Sequence, residues 1–267
     1  MRPGPDILNL ANGKTCSLVV DPGIASFPVR SPDGLTIAFE TGEFGYDVYE
    51  YPLDGRAPRP MVATSRLEMA PSWSPDGVHF AYVTDRSGAQ EIWIRSRTDG
   101  SERRQPTPQM ASGDQIYDCA FSPDGARIAY RVEGSSTAIW ISLRDSETPV
   151  RMWPDDTQVQ RGPSWSPDGN WIAFYASDKS GSDVRKYRIG SNQPPEALVR
   201  TSEAKPVRWS PRGDWIVYRD NNELRLVSAD GREKRSVSSE VWETYGWSKD
   251  GQSIYGLRVD SSHHLIL

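Results

Sequence analysis

Acidic residues beside glycine recur along the chain: in "SPDG" at Ser31, Ser74, Ser122 and Ser166, in "SKDG" at Ser248, and in "LDG", "TDG" and "ADG" at Leu53, Thr98 and Ala229. A carboxylate next to a glycine is half of a calcium loop. Each pair here already serves as turn chemistry, because aspartate tolerates the third position of a tight turn and glycine takes the left-handed conformation that closes it. Other reactive groups are few. Of the three histidines, His79 falls in an apolar strand beside Phe80. His263 and His264 are neighbours, and adjacent strand residues point to opposite faces, which is poor geometry for one metal. There is no GxSxG elbow, no phosphate-cradling P-loop and no HExxH. The reading is therefore of no catalytic residues, no metal and no cofactor.

Composition narrows the classes further. A net charge of −5 over 267 residues, without long runs of either sign, leaves no electrostatic footprint for nucleic acid or an anionic membrane. No stretch approaches the roughly 20 apolar residues of a membrane helix, so no membrane insertion is expected, and the opening "MRPGPDILNL" lacks the core of a signal peptide. Cys16 and Cys119 sit in different repeats and read as two half-buried thiols, a lone disulfide being the alternative.

The elements that would position any site are set by the repeat. Successive serines of the tetrapeptide and of its near-copies "SPRG" at Ser210 and "SKDG" at Ser248 are 43, 48, 44, 44 and 38 residues apart, the period of an array. The tetrapeptide joins two strands. The strand before it ends in an aromatic, Trp73, Phe121, Trp165, Trp209 or Trp247, with Arg30 the exception. The strand after it carries apolar residues six and eight positions past the serine, as in Phe80 and Tyr82 or Ile172 and Phe174, with Ala38, Ala81, Ala129 and Ala173 between them. A two-residue step places the large pair on one face and the alanine on the other. Third strands such as "EIWIRS" and fourth strands richer in charge and proline, such as "RRQPT" and "EALVRT", complete each unit. Four antiparallel strands per unit, with no amphipathic helical stretch, predict an all-β, six-bladed β-propeller.

"PSWSPDG" at Pro71 and Pro163, the second followed by "WIAFYASDKSG", resembles the WD-like repeat of the TolB type, which also forms the propellers of prolyl-oligopeptidase-like enzymes. The resemblance covers six units from about Phe27 to the C-terminus. The GH and WD dipeptides of ordinary WD repeats and the spacing of the sialidase Asp box are absent. The resemblance implies a bacterial, non-catalytic recognition or scaffold propeller, a fragment of a larger protein, with a protein or peptide partner and an extracytoplasmic, periplasmic setting. Two alternatives stay open: the substrate-gating propeller of a serine peptidase without its hydrolase domain, and a lyase or hydrolase acting at the channel mouth. The oligogalacturonate lyase analogue of the latter calls for histidine metal ligands that this chain does not supply.

One domain over 1–267 is expected, with repeats near 27–69, 70–116, 117–161, 162–204, 205–242 and 243–267. N-terminal strands within 6–20 close the last repeat. Seven third strands face six first strands, so either Asp6 to Leu10 or His264 to Leu267 is surplus, and a longer parent chain would make seven blades. Binding is expected at the end of the ring where the second-to-third-strand loops and the blade-to-blade connections meet. Those loops offer Asp85, Arg86, Asp178, Lys179 and Asp220, with Glu43 and Glu133. The connections offer Arg66, Glu68, Asp114, Arg200 and Trp242, with Asp155, Asp156 and Glu243. Trp153 and Trp242 fall outside the repeat register and are candidates for surface recognition as an alternative to packing, and the long connection from Gln105 to Tyr117 is the first place to look for a specificity loop. The repeated tryptophans read as packing between blades.

Overall fold

The computed structural model describes residues 6–17, 25–41, 46–53, 56–57, 59–144, 148–154, 158–202, 205–239 and 241–259. Among these are six four-stranded antiparallel sheets and no helix. Five sheets are continuous in sequence, spanning 25–62, 68–105, 115–151, 159–200 and 208–238; they are blades 1 to 5. The sixth takes Val241–Trp247 and Ser253–Val259 from one end of the chain and Asp6–Asn9 and Thr15–Ser17 from the other. Asp6–Asn9 pairs with Ser253–Val259 in the register Leu8 to Ile254, so the N-terminal strand is the third strand of this closing blade. Residues 264–267, the other contender, lie outside the described residues. The ring has six blades, not seven.

The two-residue step explains the burial. Ile37, Phe80, Ile128, Ile172, Ile216 and Ile254 are at most 3% exposed, and Ala38, Ala81, Ala129 and Ala173 on the opposite face at most 1%. Both faces of every second strand are therefore covered by neighbouring blades. The fourth strands are mostly exposed, as their charge requires.

From blade 2 to blade 6 neighbouring first strands are joined by an alternating device, whereas at the junction of blades 1 and 2 the Trp73 indole N–H makes no such bond. The hydroxyl of Ser72 accepts the backbone N–H of Phe121 (3.0 Å), and that of Ser164 accepts the N–H of Trp209 (2.9 Å). At the intervening junctions the Trp165 indole donates to the Ala120 carbonyl (3.1 Å), and the Trp247 indole to the Arg208 carbonyl (3.0 Å). The tryptophans thus pack between blades as the repeat predicts. The closing junction uses neither form. Tyr255, standing where blades 1 to 4 have alanine and blade 5 has Val217, accepts the N–H of Arg30 on its hydroxyl (2.9 Å). Its register partner is Gly246, where a Cβ would come within 2.6 Å of that hydroxyl. Glycine thus makes room for a tyrosine whose oxygen does the work of the serine.

The first strands also bulge four residues before the tetrapeptide, where Ala70, Asp118 and Gly162 have φ of 51°, 55° and 61°. At Gly162 a side chain would meet the Pro206 Cα of the next blade at 2.9 Å, so only glycine fits.

Candidate functional site

Each tetrapeptide is a small hydrogen-bonded knot. In blade 4 the Ser166 hydroxyl donates to Asp168 Oδ1 (2.5 Å) and accepts the Trp171 N–H (2.9 Å), while Asp168 Oδ1 also accepts the Asn170 N–H (3.0 Å). The same bonds form at Ser31, Ser74, Ser122 and Ser248. In "SPRGD" an arginine occupies the aspartate position, and Asp214 reaches back to accept from Ser210 instead (2.7 Å). The serine hydroxyl, with help from that backbone amide, holds Asp33, Asp76, Asp124, Asp168 and Asp250 below the ordinary carboxylate range.

These knots fix what points at the axis. Two contiguous cavities of about 420 and 440 Å³ share Val29, Arg30, Pro123, Trp165, Arg208 and Pro211, and residues of all six blades wall them. The position after each serine lines them throughout: Pro32, Pro75, Pro123, Pro167 and Pro211, then Lys249. So does the position two before it: Val29, Ser72, Ala120, Ser164, Arg208 and Gly246. Phe121, Trp165, Trp209 and Trp247 complete the lining. The result is an apolar axial mouth of ligand-pocket size at the end where the tetrapeptides converge. Proline has no N–H to satisfy, so its ring can face an incoming chain without an orphaned donor.

The opposite end holds the residues that loop position singles out, and it does not gather them into one site. Asp85 and Asp114 border a cleft of about 500 Å³ between blades 2 and 3, formed with the 110–115 part of the long connection. Asp85 accepts the Leu67 N–H (3.1 Å) and Asp114 the Ala111 N–H (2.8 Å). Arg86 lies over the Trp93 ring at 3.5 Å and donates to Glu102 (2.6 Å) on the outer part of blade 2. Asp178 accepts from Ser180, and Arg200 reaches the Ser180 carbonyl (3.2 Å) and Asp183 (3.3 Å), forming a separate group on blade 4. Asp220 accepts from Ser202 on blade 5 (2.9 Å), and Lys179 and Arg66 are exposed. The loop carboxylates are thus occupied largely by their own chain.

Glu68 departs from the expected exposed connection. It begins the first strand of blade 2 and is 1% exposed, accepting from the Thr64 hydroxyl (2.6 Å), and burial raises its carboxyl above the ordinary range. Trp153 is half-buried against Tyr187, with ring centroids 5.7 Å apart. Trp242 lies on the first strand of the closing blade opposite Arg258. Its side chain and that of Glu243 lie outside the described residues, as do Glu43, Asp155, Asp156, His263 and His264. His79 is a half-buried strand residue 3.9 Å from Asp76, and Cys119 is a buried free thiol. Among the described residues no group of three or more His, Cys, Asp or Glu is placed to hold a metal.

Loop position alone passed over Arg208 and Lys249, and treated Arg30 only as an exception to the aromatic rule. The signal that finds all three is departure from the repeat at a position that faces the axis.

Known proteins place this geometry. The Tol-Pal system protein TolB of Anaeromyxobacter dehalogenans (strain 2CP-C) is 30% identical over 129 residues, which is 48% of this chain and 28% of that protein. The uncharacterized peptidase YuxL of Bacillus subtilis (strain 168) is 26% identical over 202 residues, 73% of this chain and 29% of that protein. The chain thus spans under a third of the length of either relative. Among solved structures, one assigned as TolB from Agrobacterium tumefaciens superposes with a TM-score of 0.79 at 21% identity, covering 96% of this chain and 97% of that one. Residues 41–265, most of the ring, match the TolB beta propeller domain, and the chain belongs to that family.

Proposed function

We propose that this propeller is a non-catalytic recognition module that takes a polypeptide segment of another protein into its axial mouth at the tetrapeptide end. The observation that carries this reading is the pair of adjoining cavities walled between them by all six blades, whose proline and aromatic lining suits an extended chain. Relatives named for the Tol-Pal system support a protein partner and an extracytoplasmic setting, within a larger protein or assembly.

The test is to pan a random dodecapeptide phage library on the intact chain and repeat the binding with Ala120→Trp, which puts an indole into the cavity. Peptides that bind the native ring and lose the variant support the reading. Peptides that bind both equally contradict it.

A second reading, the gating propeller of a peptidase, is favoured by the YuxL match over 73% of the chain. A GxSxG-bearing hydrolase segment in the natural gene product would decide for it.

A further inference from the structure

The axial mouth is not symmetric, and its asymmetry is chemical. In the ring after the serines, five prolines are followed by Lys249; in the ring two before them, small or apolar residues are interrupted by Arg208. In the position just before the serine, aromatics give way to Arg30. These three departures fall on blades 5, 6 and 1, which are consecutive around the ring. Every departure from the repeat that adds charge to these three positions adds a positive one, in a chain whose net charge is −5.

The three cations are also available. Arg30 folds over its own turn and donates to the Gly34 carbonyl (3.0 Å from Nε), and Arg208 donates to the Val207 carbonyl (3.0 Å). Among the described residues no carboxylate lies within ion-pair distance of Arg30, Arg208 or Lys249, whereas Asp118, the carboxylate that lines the far side of the cavity, is paired with Arg131 at 2.8 Å. The turn aspartates Asp33 and Asp250 line neither cavity and are engaged by Ser31 and Ser248, although Asp33 also feels the charge of Lys249 beyond ion-pair distance. A carbonyl is a weak partner for a guanidinium, and a carboxylate entering the mouth would replace it with a charge-assisted, bidentate pair.

We infer that blades 5, 6 and 1 form a carboxylate-gripping arc, so that the segment taken into the mouth is an acidic polypeptide held by Arg208, Lys249 and Arg30 on one side and by apolar rings on the other. This rests on the recognition reading above and specifies its partner. A peptide is favoured over a nucleic acid because the cations are confined to one arc of the mouth and the rest of its lining is largely apolar, whereas a phosphate backbone would need cations along its whole path.

The experiment is fluorescence anisotropy on the intact chain with three fluorescein-labelled probes: an octapeptide alternating glutamate and glycine, its glutamine counterpart, and a single-stranded DNA octamer. The glutamate peptide is expected to bind about tenfold or more tighter than the glutamine peptide, and to weaken as salt rises. The double variant Arg208→Ser, Lys249→Pro removes two charges by restoring residues that other blades carry at the same places, which protects the fold. It is expected to bring the glutamate peptide down to the glutamine level, while Arg104→Ala on the exposed edge of blade 2 changes nothing. Equal affinity for both peptides, with Ala120→Trp blocking both, overturns the inference and leaves the recognition reading standing. Tighter binding of the DNA overturns it as well, and binding of no peptide removes both readings.

Discussion

The two ends of this ring are built by opposite rules. At the tetrapeptide end the chain repeats itself, and the serine knots of blades 1 to 5 each present a proline to the mouth while that of the sixth presents Lys249, so the cavities are walled by six copies of one small structure. At the loop end the chain varies, and the polar side chains are spent locally, Asp85 on Leu67, Asp178 on Ser180 and Asp220 on Ser202. Variable loops are the usual place to look for recognition. Here it is the constant end whose cavities are walled by all six blades, and a few substitutions within the constant pattern give them character.

The largest expected effect lies on the cavity itself. Ala120→Trp is expected to cost about tenfold or more in peptide affinity, with thermal unfolding checking that the ring persists.

Next is the closing junction, which departs from the device at the junction between blades 2 and 3. Gly246→Ser alone drives a side chain into Tyr255 and is expected to destabilise by about 1–3 kcal/mol. Tyr255→Ala alone empties the space and strands the Arg30 N–H, for about 3–5 kcal/mol. The double variant recreates the Ser72–Ala81 pair of blade 2 and is expected to recover more than 1 kcal/mol of the summed losses, about the coupling of residues in contact. A denaturant-based double-mutant cycle reads this, and strict additivity would show that the tyrosine does not replace the serine.

A smaller effect follows from the knots. The folded pKa values of Asp33, Asp76, Asp124, Asp168 and Asp250 lie below the unfolded value of 3.8. Their contribution to stability is therefore complete above that value and disappears as pH falls through the folded values. Thermal midpoints should drop steeply below about pH 4, and Asp124→Asn should flatten that drop. An unchanged slope would mean that the serine bond does not favour the ionised form.

The smallest effects belong to the loop end. Arg66→Ala and Lys179→Ala are expected to shift stability by no more than about 0.5 kcal/mol and to leave peptide binding unaltered. A loss of binding in either would return the site to the loops.

Much of the fold was legible because the tetrapeptide is both a turn signal and a repeat marker. The apolar residues at positions six and eight past the serine gave the second strands, and "DILNL" gave the strand that closes the ring. Less was legible of the site, because a repeat tells which residues are equivalent without telling which radius they occupy. Arg30 stood out only as a missing aromatic until the first strands were seen to face the axis. Tyr255 looked like a broken pattern because its compensation, Gly246, lies nine residues away on the paired strand. Glu68 looked exposed because nothing in its neighbours announces that Thr64 folds back onto it.

The central claim is that recognition happens at the tetrapeptide end, and hydrogen–deuterium exchange of the intact chain with and without a panned peptide tests it most directly. Protection concentrated in 28–32, 118–123, 163–167, 206–211 and 246–249 is the predicted result. Protection concentrated instead in 85–90, 106–114, 178–181 and 220–223 would contradict it.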